Sequence, residues 1–230
     1  MKKTSLCIIP ARGGSKGIPN KNIVDVLGKP LISYSIVSAI ESNLFDRVIV
    51  TTDSEDIANI SLFYGAEVPF IRPEELSTDA SLVQDAIVHC LKYVEEEYGK
   101  YEYVCLRQAT SPLISKEDII ESSTLLIDKK ADIIVSVTET PYNINWTGKI
   151  GEDLSMKNFM SFCGTRRQDF STTYVVNGGI YFGKWDIFYD KKNYYEQDVY
   201  AYKISYEKSI DIDSELDLDL VKYFIGKAII

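Results

Sequence analysis

The sequence predicts an α/β fold built on one doubly wound, mainly parallel sheet. Three observations predict it. Short apolar runs rich in Val, Ile and Tyr recur along the chain, mostly without clean alternation, as expected for strands covered on both faces. Segments of helical periodicity lie between the early runs. A glycine-rich, basic loop follows the first run, at the carboxyl end of a strand, where such sheets bind ligands.

The first strand is expected over 6–10, where Leu6, Cys7, Ile8 and Ile9 lead into Pro10. Further strands are expected over 47–51, 68–71, 103–106, 133–137, 179–182 and 199–204. Helices are expected over 31–42, 55–64, 82–97 and 116–129. The third of these carries Leu82, Val83, Ala86, Ile87, Cys90, Leu91 and Val94 at helical spacing. The alternation breaks after Val137. Residues 138–173 are mixed, with Pro141, Trp146, Gly148, Gly151 and Gly164, and read as an inserted β-rich excursion. A stretch this long inside a compact domain is usually functional. The whole chain, 1–230, reads as a single domain carrying that insertion.

Composition is ordinary for a globular protein, 45% hydrophobic and 26% charged over 230 residues. No apolar run approaches the roughly 20 residues that span a bilayer. The basic start precedes an apolar stretch too short for a secretion signal, so a cytoplasmic protein with no membrane partner is expected. The four cysteines (Cys7, Cys90, Cys105, Cys163) form no C-x-x-C pair and read as reduced thiols in or near the core. His89 is the single histidine, which excludes multi-histidine zinc sites. A net charge of −9 argues against nucleic acid as a partner. The charge is uneven, however. Lys2, Lys3, Arg12, Lys16, Lys21 and Lys29 face a single acid, Asp25, across the first 29 residues, which suggests a local site for a small anion.

The loop that follows the first strand reads Ile9-Pro10-Ala11-Arg12-Gly13-Gly14-Ser15-Lys16-Gly17-Ile18-Pro19-Asn20-Lys21-Asn22. Gly13 and Gly14 let a backbone approach a ligand, and their N–H groups can point at phosphate oxygens. Arg12, Lys16 and Lys21 add cations. The string is neither a Walker P-loop nor the dinucleotide G-x-G-x-x-G, which weighs against a nicotinamide oxidoreductase. Near the other end, Ile210-Asp211-Ile212-Asp213 places two carboxylates two apart at an expected strand end, hence on one side. Such oxygen ligands suit Mg²⁺ held with substrate phosphates. The competing reading is a helix cap, because Ser214-Glu215-Leu216-Asp217 fits a capping box. Retained cations together with paired aspartates argue against a non-catalytic nucleotide sensor.

Taken together, these strings resemble the acylneuraminate cytidylyltransferases. The family's loop signature is matched at every fixed position from Ile9 to Asn22. The likeness continues through Gly28-Lys29-Pro30-Leu31-Ile32, Val50-Thr51-Thr52-Asp53-Ser54, Arg72-Pro73 with Leu76-Ser77, Asp79 and Ser81, and Gln108-Ala109-Thr110-Ser111-Pro112-Leu113. It ends on Arg167-Gln168, Tyr174 and Asn177-Gly178-Gly179-Ile180-Tyr181, where Gly179 stands in place of the usual alanine. Ala109 likewise replaces a proline, and Arg107 sits where the family often has an apolar residue.

The resemblance implies a Rossmann-like nucleotidyltransferase. It would transfer CMP from CTP to the anomeric hydroxyl of a sialic-acid-type nine-carbon acid and release pyrophosphate. It implies Arg12, Lys16 and Lys21 as catalytic cations, and Ala11, Arg12, Gly13, Gly14, Ser15, Asn22, Arg72 and Ser81 around the nucleotide. It implies Gln108, Arg167, Asn177 and Tyr181 around the acceptor, with Arg166 as an alternative to Arg167 for the acceptor carboxylate. Asp211 and Asp213 would hold Mg²⁺ or Mn²⁺. Residues 138–173 resemble the family's dimerisation arm, so a homodimer is implied. The nearest rival is the synthetase for the eight-carbon sugar Kdo, or another sugar nucleotidyltransferase. No residue stands out as a general base.

Overall fold

A computed structural model of the chain describes residues 4–15, 17–140, 142, 146–157, 159 and 171–227. Its centre is a six-stranded sheet of order β4-β1-β5-β7-β6-β8. The strands are β1 (Ser5–Pro10), β4 (Arg47–Thr51), β5 (Tyr103–Arg107), β6 (Ile133–Glu139), β7 (Tyr174–Lys184) and β8 (Val199–Lys203). β1 pairs in parallel with β4 and β5, and β6 with β8. β7 alone runs against its neighbours, β5 and β6. The mainly parallel α/β expectation holds.

Burial on both faces explains why the strand runs lacked alternation. Along β1, Leu6 and Ile8 enter one core with Leu91, Val94 and Trp185, under α3 (Val83–Tyr98) and α5 (Trp185–Tyr189). Cys7 and Ile9 enter the opposite core with Ile32, Ile36 and Ile57, under α1 (Leu31–Glu41) and α2 (Glu55–Phe63). α4 (Lys116–Lys129) closes a third core against β5, β6 and β7 through Ile119, Leu126, Ile134 and Phe182. Among the described residues, no helix is long and apolar enough to cross a membrane.

A fourth core brings the two ends of the chain together. Ile18 from the first loop packs with Val26, Leu31 and Ile212, and with Leu218 and Val221 of α6 (Glu215–Gly226). Val26 comes from a small hairpin, β2 (Asp25–Val26) and β3 (Lys29–Pro30), which sequence reasoning missed. Leu27 and Gly28 both take positive φ at its tip, as the tightest hairpins require.

Three expectations are corrected. Residues 68–71 form no continuous strand; isolated bridges occur at Ile49–Glu67, just before them, and at Thr52–Ile71, on their last residue, and Pro69 between lacks the N–H that a ladder needs. β7 begins at Tyr174 rather than at Gly179. Thr138 and Glu139 belong to β6 and pair with Val175 and Tyr174, so the excursion is stranded at its base. Thr140 N–H donates to Thr173 O at 3.0 Å to close that base. Beyond it, the described residues of the insertion form no strand.

Candidate active site

The loop after β1 is anchored at both ends. Ala11 N–H continues the ladder to Thr51 O at 3.0 Å. Asn22, in a 3-10 turn over Lys21–Ile23, donates its side-chain N–H to Arg12 O at 2.8 Å. Gly13 departs from expectation: its N–H donates to Asp53 Oδ1 at 2.9 Å rather than facing open space. Asp53 also accepts from Arg72 Nη2 at 3.5 Å, and buried Arg72 donates from Nε to Ser77 Oγ at 2.9 Å. Arg12 pairs with Asp79 at 2.7 Å.

The paired aspartates lie on an extended segment outside the sheet, not at a strand end. That segment is held by Ile212 N–H, which donates to Thr110 O at 2.9 Å. Burial of Ile212 turns its two neighbours to the open side, as a period of two requires. The helix-cap reading also holds, but on other atoms: Ser214 caps α6 and exchanges hydrogen bonds with Asp217. Asp213 is thereby left to accept from Lys21 Nζ at 2.7 Å. Gly17 touches the same segment, and a Cβ there would stand 2.6 Å from Asp213 O. Only glycine allows that approach.

Loop and aspartates share one cleft of about 410 Å³. Arg12, Ser15, Lys21 and Asn22 line it from one side, and Gln108, Thr110, Asp211 and Asp213 from the other. A neighbouring cavity of about 280 Å³ is lined by Ala11, Arg12, Arg72, Ser77 and Ser81. A third, of about 120 Å³, lies between Gln108, Tyr181 and Tyr194. All three share Pro10 and Val83. A separate cleft of about 370 Å³ between α1 and the start of α4 contains none of these groups.

A family comparison gives this cleft its context. The sequence model of the family described as "Cytidylyltransferase" matches residues 6–224. The chain belongs to the cytidylyltransferase family. It is 34% identical over 219 residues to a pseudaminic acid cytidylyltransferase of Campylobacter jejuni subsp. jejuni serotype O:2, covering 95% of this chain and 94% of that protein. It is 35% identical over 225 residues to an N-acylneuraminate cytidylyltransferase of Escherichia coli O18:K1:H7, covering 96% of this chain and 52% of that one. Among solved structures, a CMP:2-keto-3-deoxy-manno-octonic acid synthetase complexed with CTP superposes with a TM-score of 0.73 at 15% identity, covering 98% of this chain and 100% of that one. At that identity the likeness speaks for the fold.

In this cytidylyltransferase the aspartate pair fits a hard divalent cation. Asp211 Oδ1 is buried with no hydrogen-bond partner. Burial raises the Asp211 carboxyl above its ordinary value; Thr110 opposes this, the Asp213 charge adds to it, and Lys21 opposes it. A cation would relieve that burial cost. Among the described residues no group of three or more His, Cys, Asp or Glu could hold a metal. Two carboxylates are what Mg²⁺ takes when phosphates complete its shell.

Among the residues expected around an acceptor, Gln108 lies against Gly178, whose φ is +74°; a Cβ there would come within 2.8 Å of the Gln108 amide. Tyr181 lines the smallest cavity, and burial raises its phenol, with Tyr195 and Asp211 adding. Asn177 departs from the expected free donor. Its Oδ1 accepts from Ser136 Oγ at 2.5 Å and from Gly179 N–H at 3.2 Å, while its Nδ2 donates to Ser209 Oγ at 2.8 Å. Ser81 is also engaged, donating to Glu75 O at 2.8 Å. Gly14 has open space around it. Lys16, Arg166, Arg167 and Cys163 lie outside the described residues. His89 packs edge-on against Phe70, as a structural histidine would, and Cys7, Cys90 and Cys105 are free and buried. Sequence reasoning assigned no role to Asp53, Asp79, Thr110 or Tyr194. Asp53 and Asp79 stood inside resembling strings, but nothing local reveals which distant cation each one meets.

Proposed function

We propose that the protein transfers CMP from CTP to the anomeric hydroxyl of a sialic-acid-type nine-carbon acid and releases pyrophosphate. The observation that carries this reading is the shared cleft, where Arg12, Lys21, Gln108, Asp211 and Asp213 converge. The named cytidylyltransferase relatives supply the acceptor class.

The hydroxyl oxygen attacks the α-phosphorus in line and gives up its proton to solvent water, while the bond from the α-phosphorus to the bridging oxygen breaks and pyrophosphate leaves with that oxygen. Positioning and charge neutralisation provide most of the rate. Arg12 and Lys21 exchange their carboxylate partners for the triphosphate, and Lys16 is assigned to the same task. Asn22 keeps the loop in shape through Arg12 O. Ala11, Arg72 and Ser81 border the cavity that suits the base. Gln108 and Tyr181 contact the acceptor, and Arg167 is assigned to its carboxylate. Asp211 and Asp213 would hold Mg²⁺ (or Mn²⁺), which supplies charge neutralisation at the phosphates. Exposed Tyr142, Ile150, Leu154 and Met156 on the insertion support its assignment as a dimer arm. Dependence on CTP fits a cytoplasmic location.

Pyrophosphate release from CTP tests the reaction, with neuraminic, legionaminic, pseudaminic and Kdo acids as acceptors. Turnover of one nine-carbon acid, abolished by a chelator, is expected. Turnover of Kdo alone would overturn the acceptor class, and release insensitive to chelator would overturn the metal. A monomer by light scattering would overturn the dimer.

A further inference from the structure

We propose that Arg107 is a positioning residue, whose buried guanidinium locks together the two backbone segments that present Gln108 to the acceptor. This deepens the reading given under Proposed function and rests on it.

Arg107 is 0% exposed. Its Nη1 donates to Gly179 O at 2.5 Å and its Nη2 to Ile114 O at 3.4 Å, while Nε is buried without a partner. Among the described residues it forms no ion pair. Asp118, the carboxylate that acts on it electrostatically, is engaged by Lys208 at 2.9 Å. Its other influential neighbours are the Cys105 and Cys7 thiols. A charge buried this way is expensive, and an apolar side chain of similar volume would usually be no less stable. Folding alone therefore gives no reason for an arginine here.

What the guanidinium joins gives the reason. Arg107 is the last residue of β5, and Gln108 follows it directly. Ile114 ends the same loop, one residue before Ser115 caps α4. The bond from Nη2 to Ile114 O thus closes the loop across its neck. That loop carries Gln108 to the cleft, and it carries Thr110, whose carbonyl holds the Asp211–Asp213 segment. The bond from Nη1 reaches Gly179, next to Gly178 in β7, where the ladder with β6 is irregular and Gly178 lies against the Gln108 amide. The absence of a side chain at Gly179 leaves room for the Ile114 Cδ1 methyl, which a Cβ would meet. Both surfaces that border Gln108 are therefore tied to one planar fork, and a fork holds two carbonyls in fixed geometry where an ammonium cannot.

Steady-state kinetics of Arg107→Leu and Arg107→Lys, varying CTP and acceptor separately, test this alongside thermal melts. Arg107→Leu is expected to melt within a few degrees of wild type. Its KM for the acceptor should rise about ten-fold, with a lower kcat, because small misplacements of a contacting group are costly. KM for CTP should stay within about two-fold. Arg107→Lys should recover part of the loss, and it carries the test should the leucine variant not fold. A folded variant with wild-type acceptor KM and kcat would overturn the proposal, as would an equal rise in KM for both substrates. Wild-type enzyme inactive on every nonulosonate would overturn the underlying reaction instead, and the positioning role with it.

Discussion

On the β4-β1-β5 side of the sheet all strands are parallel, and Arg12 and Lys21, on the loop after β1, are held in ion pairs with exposed acids. Asp213, the partner of Lys21, has a side chain 77% exposed, and Asp79 is exposed beside Arg12. On the β7-β6-β8 side one strand runs backwards, and the polar groups are consumed by one another. Ser136, Asn177 and Ser209 are linked in series by hydrogen bonds, and wholly buried Arg107, at the end of β5, reaches into this side to donate to Gly179 O. Exposed pairs are worth about 0–1 kcal/mol, so a ligand can replace a partner cheaply. Buried networks are costly to disturb. One side of the cleft is thus built to exchange partners, and the other to hold a shape.

The largest test of this contrast lies on the exchangeable side. Asp211→Ala should lower kcat by about 10³-fold while weakening CTP binding much less, since charge neutralisation acts mostly in the transition state. Steady-state kinetics and CTP titration decide it, and near-normal turnover would remove Asp211 from the mechanism. On the fixed side, Gly178→Ala adds a methyl against Gln108 at positive φ. It should destabilise the fold by about 1 kcal/mol and raise the acceptor KM several-fold, leaving the CTP KM alone. An equal rise for CTP would mean that the two sides are not separable.

The smallest effect on activity is expected away from the cleft. Burial opposes ionisation of Asp118, but Lys208, at 2.9 Å, and the Ser115 N–H and hydroxyl outweigh it, holding the carboxyl below its ordinary range. Its contribution to stability is complete above the ordinary carboxylate pKa and is lost as pH falls through the lowered one. Asp118→Asn should cost about 1–3 kcal/mol near neutrality, flatten the acid dependence of Tm and leave both KM values unchanged. Melting curves against pH check it; an unaltered acid limb would exclude the pairing as a source of stability.

The same contrast governs how much could be read in advance. The strand over 47–51 and the helix over 116–129 were legible to the residue, because a compact Val-Ile run and the helical spacing of Ile119, Ile120 and Leu126 are local signals. β7 was legible only from Gly179 onward, since Gly178 interrupts its pattern and strand direction has no signature in composition. Arg12, Lys21, Asn22, Gln108, Asp211 and Asp213 could be named in advance as candidates, and they line one cleft. The partners of Gly13 and Asn177 within the chain were not legible. Each is occupied by a partner far along the chain, Asp53 in one case, Ser136 and Ser209 in the other.

The sequence by itself determined the α/β class, the order of its early strands and helices, and the chemical kinds gathered at its two ends. Those properties follow from periodicity, turn residues and charge over short windows. Only the tertiary structure decided that Lys21 meets Asp213 across 192 residues and that Arg107 reaches Gly179 across 72. The first meeting is made by burying Ile18 and Ile212 in one core with α6. The second is made by pairing β5 with a strand that runs against it. Both depend on which distant apolar surfaces leave water together, which no local window records.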